Sequence, residues 1–145
     1  MNPSQVDTFL NMRRTFTAPR DLVFRAWTEP KALEGWFKPM GSRQTKVVSL
    51  DLRVGGGYCF EVIGEDGELS EISGSYLEIE RPEKLIFTWH SVYTGEQETL
   101  VTLRFVAHGD TTEVVLNHAR FVGEQMMTAH QAGWNWMMDQ LKIVF

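Results

Sequence analysis

Two histidines are the residues of this chain best suited to chemistry. His118 ends the alternating run Val114, Leu116, His118, and His130 sits in the middle of the apolar stripe of the last segment. A neutral imidazole offers one donor and one acceptor. If both rings point into one interior, they would anchor the polar group of an otherwise apolar ligand, because small-molecule pockets carry few polar groups. If each bonds a backbone carbonyl or a buried acid instead, the pair only fastens helix to sheet. General acid–base catalysis would also need a positioned carboxylate. Glu61 and Glu113 fall on outward phases, and Glu78 does so only in one of the two registers open to its strand, so no catalytic residue is assigned.

Other chemistries are excluded by spacing and charge. His90, His108, His118, His130 and the single cysteine, Cys59, lack any chelating spacing. Only His118 and His130 can meet, which leaves a zinc site short of ligands; no metal and no cofactor are expected. Gly55-Gly56-Gly57 has no Lys-Ser/Thr after it and no following helix, so it is not a phosphate loop. Asp51 and Arg53, two apart in a strand, share a face and suit a salt bridge or a turn-fixing role. Cys59 cannot form a disulfide within the chain and reads as a small buried hydrophobe. The net charge of −5, with only Arg13 and Arg14 adjacent among the basic residues, argues against a nucleic-acid partner. The start, MNPSQVDTFL, lacks the pattern of a signal peptide, and no apolar run is long enough to span a bilayer. A cytoplasmic protein without membrane insertion is expected.

The elements that must hold the histidines follow from periodicity. Gly123 to Phe145 reads as one amphipathic helix: Met126, Met127, His130, Gly133, Trp134, Met137, Met138, Leu141 and Phe145 share a face, with Thr128, Asn135, Asp139 and Lys142 opposite. Trp136 also projects away from the stripe, toward a sheet edge or a homodimer contact. Leu10, Met12 and Phe16 alternate as in a half-buried strand, and Arg14 shares their phase, so it needs an open end or an acid. Two short helices follow, starting near Pro19 and Pro30. Strands then run over Thr45–Arg53, around Tyr58–Val62, over Ile72–Glu80, and through Leu85–Trp89, Val101–Phe105 and Val114–His118, with turns such as Asp66-Gly67 between them. In Ile72–Glu80 two inward phases compete, Ile72/Tyr76 against Leu77/Ile79. The sum is one α+β domain over 1–145, a curved antiparallel sheet of about six to seven strands around a long C-terminal helix, with two short helices after the first strand.

Rings crowd this interior: Trp27, Trp36, Phe37, Tyr58, Phe60, Trp89 and Trp134. Rings do not always close-pack around a helix, so a residual cavity is expected between helix and sheet. Its lining is read as Trp36, Phe37, Tyr58, Phe60, Trp89, Leu103, His118, Met126, His130, Trp134 and Met137. The methionines suit an adaptable surface and equally an ordinary core.

Several stretches, in order, also resemble a known family. They are Ala18-Pro19 through Trp27-Thr28-Glu29-Pro30, Gly35-Trp36-Phe37-Lys38-Pro39, Asp51 to Gly56, Gly74 to Trp89, Thr112 to His118 and His130-Gln131-Ala132-Gly133-Trp134. Together they resemble the activator of 90-kDa heat-shock protein ATPase homologue family, within the START-like (SRPBCC) superfamily. The resemblance implies the helix-grip fold with a cavity between sheet and helix, and binding of a small, mainly apolar molecule. Two alternatives travel with it: a cyclase- or hydratase-type enzyme, and a co-chaperone-like module stimulating a heat-shock chaperone ATPase. The separate chaperone-binding domain of the family's namesake has no counterpart here, which counts against a chaperone partner.

Overall fold

The computed structural model describes residues 8–145, so the start of the segment read for a signal peptide lies outside the described residues. The order is β1 (Thr8–Phe16), α1 (Arg20–Thr28), α2 (Pro30–Trp36), β2 (Ser42–Leu50), β3 (Gly57–Gly64), β4 (Leu69–Glu80), β5 (Lys84–Trp89), β6 (Thr99–His108), β7 (Thr111–Phe121) and α3 (Glu124–Val144). The strands form one antiparallel sheet in the order β1-β7-β6-β5-β4-β3-β2. β1 and β2 are therefore opposite edges, and the chain between them must cross the whole sheet. α1 and α2 make that crossing. Pro19 caps α1 and Pro30 occupies the first turn of α2, where a missing N–H costs nothing. Trp36 locks the two helices by donating Nε1–H to the Ala26 carbonyl at 2.8 Å.

Alternation decides most of the sheet, and two irregularities explain where it fails. Tyr76 pairs with Phe87 and Ile79 with Leu85, so four residues of β4 span three of β5. This bulge turns the strand over, so Ile72 and Tyr76 face the core before it and Ile79 packs inward after it, while Leu77 stays 48% exposed. Both competing phases are thus used. In β7 the same trick serves the site: Leu10 pairs with His118 and Thr8 with Phe121, and Arg120 between them takes φ +71°. That residue in the left-handed region lets His118 and Phe121 both turn inward, ring centroids 4.4 Å apart.

β2 stops at Leu50, earlier than expected, because Asp51–Gly56 folds into a turn laid against β4. Gly55 N–H donates to the Tyr76 carbonyl and Tyr76 N–H to the Gly56 carbonyl, both at 2.8 Å. A Cβ at Gly56 would overlap the Asp51 carbonyl, which accounts for the glycine run. Asp51 and Arg53 do form a salt bridge, at 2.7 Å, but across this turn and not along a strand face. Cys59 is another correction. It is half-buried on β3 between the inward Tyr58 and Phe60, and partial burial with the neighbouring Glu71 raises its thiol pKa.

α3 lies along β1 and β7 and against α2. Arg14 meets an acid, as its phase required: its guanidinium reaches Asp139 at 2.7 Å and Asn135 at 2.7 Å on the outer side of α3. Trp136 lies on the link between α2 and β2, donating to the Lys38 carbonyl at 2.9 Å, and is 39% exposed.

Candidate functional site

The expected inward face is present: Tyr58, Phe60, Phe87, Trp89, Leu103, Phe105 and Leu116 are all buried, opposite Trp134, Met137, Met138 and Leu141 of α3. Most of this interior is filled. Phe37 packs edge-on against Trp36 and Phe60, Tyr58 against Phe87, and Trp89 lies 5.1 Å from Trp134 between centroids. Tilted and edge-to-face contacts of this kind are how rings fill space. What remains among Trp27, Phe37, Tyr58, Phe60, Trp89 and Trp134 is about 20 Å³, the room of one water. The indole N–H groups of Trp27 and Trp89, two residues that border it, are buried without a partner among the described residues. The Tyr58 hydroxyl donates to the Thr88 carbonyl at 2.7 Å, and burial pushes its phenol pKa up.

His118 is fully buried and both its nitrogens are spent. Trp134 donates Nε1–H to His118 Nδ1 at 3.0 Å, so the ring proton must sit on Nε2. Nε2 lies 2.7 Å from Thr99 Oγ1, which in turn donates to the Trp89 carbonyl at 3.0 Å. One relay of hydrogen bonds thus ties α3 to β7, β6 and β5. Burial, with the neighbouring His130 adding to it, holds the His118 pKa down to about 2. This ring fastens helix to sheet and has no polar atom left for a ligand.

His130 has the opposite tautomer. Its Nδ1 faces the Met126 carbonyl one turn back at 2.9 Å, a contact that requires the proton on Nδ1. Nε2 is then a bare lone pair, with no partner among the described residues. Burial lowers the His130 pKa despite that backbone bond, so the ring is neutral. It forms part of the wall of a cleft of about 580 Å³ that opens beside the packed core.

This cleft runs between α3 and the β3–β4 hairpin. Trp89, Trp134, His130 and Met137 are the sequence-predicted residues that border it. Phe37, Tyr58 and Phe60 border only the small interior space. Trp36, Leu103, His118 and Met126 border neither: Trp36 is packed between Trp27 and Phe37, Leu103 and His118 are fully buried in the sheet, and Met126 lies in the first turn of α3. Sequence reasoning missed the rest of the wall. Val62 and Ile72 come from inward positions of β3 and β4, Ala129, Ala132 and Gly133 from α3, and Met40, Leu69, Val92 and Tyr93 from loops and strand ends. The last four are exposed by more than half of their surface, Tyr93 by 74%. Large apolar residues in turn-rich stretches were the available signal for them. The carboxylates read as outward do lie there, with Glu78 on Lys84 at 2.9 Å and Glu113 near Arg13 at 3.5 Å. Among the described residues no group of three or more His, Cys, Asp or Glu side chains is placed to hold a metal, and no helix is long and apolar enough to cross a membrane.

A curved seven-stranded sheet holding one long C-terminal helix defines a START-like, helix-grip domain. The chain belongs to the family of Activator of Hsp90 ATPase homolog 1-like proteins, whose family model matches residues 17–145. Among solved structures it is similar to a protein of Chromobacterium violaceum (25% identity, TM-score 0.85, 94% of this chain and 95% of that one). It is also similar to CalU16 of Micromonospora echinospora (30% identity, TM-score 0.70, 93% and 74%). In fold it matches the AHSA1 protein of Silicibacter pomeroyi (20% identity, TM-score 0.79, 94% and 96%). No curated protein matches the chain.

Proposed function

We propose that this protein binds a small, mainly apolar molecule in the cleft between α3 and the β3–β4 hairpin. The observation that carries the reading is Gly133. It sits in mid-helix, where glycine costs about 1 kcal/mol relative to alanine. Nothing local requires it: a Cβ there would meet no atom within 4 Å. What the missing side chain does is leave the wall of the cleft open, between Ala129, Ala132 and Trp134. The volume of about 580 Å³ lies within the range of ligand pockets, roughly 300–1,000 Å³. The cleft is also bordered by the exposed apolar side chains of Met40, Leu69, Val92 and Tyr93, surface of the kind that an occupant covers.

The test is a pair of substitutions at one position. Gly133→Ala is expected to raise stability by about 0.5–1 kcal/mol through helix propensity. Gly133→Phe is expected to fold as well but to fill the cleft. Titration with N-phenyl-1-naphthylamine, a fluorescent apolar probe, should show saturable binding by the wild type and little by Gly133→Phe. Equal binding by both proteins would place the probe elsewhere and end the proposal. Native mass spectrometry of the purified wild type would then identify any apolar molecule that co-purifies.

A further inference from the structure

The polar side of the cleft narrows the class of its occupant. We infer that the ligand carries a single uncharged hydroxyl, an aliphatic or phenolic alcohol on an apolar body, which donates its hydrogen bond to Nε2 of His130; the inference rests on the cleft reading above. Two independent features point there. His130 is 93% buried by its 7% exposure, borders the cleft, and commits its only proton to the Met126 carbonyl. The group it presents to a ligand is therefore a lone pair, which asks for a donor. A carboxylate or a sulfate has no proton to give at neutral pH and would be repelled by that lone pair.

Charge on the wall acts in the same direction. Asp66, Glu68 and Glu71 border the cleft from the β3–β4 hairpin, and among the described residues no lysine or arginine borders it. An anionic head would enter a site with carboxylates at its mouth and no compensating cation, and burying an unpaired charge is costly. A cationic amine would favour the rim carboxylates but would have to lose its water to reach the buried imidazole. A neutral hydroxyl meets neither penalty. It supplies the proton that the bare Nε2 of His130 lacks, and a neutral hydrogen bond of this kind is worth about 1 kcal/mol.

Four probes with one eight-carbon body separate these cases: 1-octanol, methyl octyl ether, octanoate and octylamine. Dissociation constants come from NMR titration of the labelled protein at pH 8. Octanol is expected to bind about fivefold to tenfold more tightly than the ether, the worth of one neutral hydrogen bond. Octanoate is expected to be weaker than octanol by at least about tenfold. The imidazole nitrogen spectrum should show His130 Nδ1 protonated, and octanol should move the Nε2 resonance where the ether does not. In His130→Phe the alcohol and the ether should become equal, and the wild-type probe series stands alone if that variant fails to fold. Equal affinity of octanol and ether for the wild type, or tighter binding of octanoate or octylamine, overturns the hydroxyl assignment and leaves the cleft reading intact. Failure of all four probes, together with equal dye binding by Gly133→Phe and wild type, removes both.

Discussion

Acid should loosen this protein through His118, by an amount that follows from its burial. The ring is neutral in the fold, with its pKa held near 2 against an ordinary value of 6.5. Between those two values the unfolded chain binds a proton that the folded one refuses. Stability therefore rises with pH there; the contribution is complete above pH 6.5 and is lost as pH falls below it. Integrating one proton from pH 7.5 to pH 5 gives about 2 kcal/mol, and any folded value well below 5 gives the same figure. Urea unfolding of wild type and His118→Gln at the two pH values isolates this ring. The amide of glutamine can accept from Trp134 and donate to Thr99 but does not titrate. We expect the variant to be about 1–2 kcal/mol less stable at pH 7.5, from lost ring packing, and to lose about 2 kcal/mol less than wild type on going to pH 5. His130, also lowered by burial, is present in both proteins and cancels. Equal losses would refute the reasoning, as would an NMR titration in which the His118 ring protonates above pH 5 in the folded state.

Two further expectations concern the frame around the site. Gly74→Ala should cost more than about 3 kcal/mol or prevent folding, since a methyl there would overlap the Thr88 carbonyl and lie 2.8 Å from the Tyr58 ring; circular dichroism melting checks it, and a loss below about 1 kcal/mol would mean the strands can part freely. Arg14→Met should cost about 1 kcal/mol by breaking its contacts to Asp139 and Asn135, and the difference should shrink in about 1 M salt. A difference unchanged by salt would assign the effect to packing of the arginine stem.

How much of this was legible in the chain depends on which physics wrote it. Tyr58, Phe60, Phe87, Trp89, Leu103, Phe105 and Leu116 declared their common face because a sheet buried on one side enforces a period of two. The stripe of α3 was equally readable, down to the exposed positions Thr128, Asn135, Asp139 and Lys142. β4 resisted because its bulge uses both phases, and a bulge leaves no mark in alternation. The end of β2 was misplaced because Asp51 to Gly56 obeys a backbone collision, which only the packed partner strand reveals. The wall of the candidate cleft was visible only in small part. Trp89, Trp134, His130 and Met137 were found because they also belong to the core pattern. The rim of Met40, Leu69, Val92 and Tyr93 was not, because loops converge by topology and have no period. The expected ring-lined cavity is nearly closed because the rings meet edge to face, and the open space lies instead where α3 carries a glycine.

The two histidines show why residue type and inward phase cannot decide a role. Their rings lie 5.2 Å apart between centroids, on facing elements of one interior. What separates them is the first partner each Nδ1 meets. At His118 that partner is an indole donor, so Nδ1 must stay bare, the proton moves to Nε2, and Thr99 consumes it. At His130 it is the carbonyl of Met126, the residue four earlier on the same helix, so Nδ1 must carry the proton and Nε2 is left bare. Burial keeps both rings neutral, so neither can relax by taking a second proton. One ring thereby closes a relay of hydrogen bonds, while the other, on the border of the cleft, keeps a ring nitrogen without a partner among the described residues. A neutral imidazole has only one proton to give, and His130 spends it on the helix backbone.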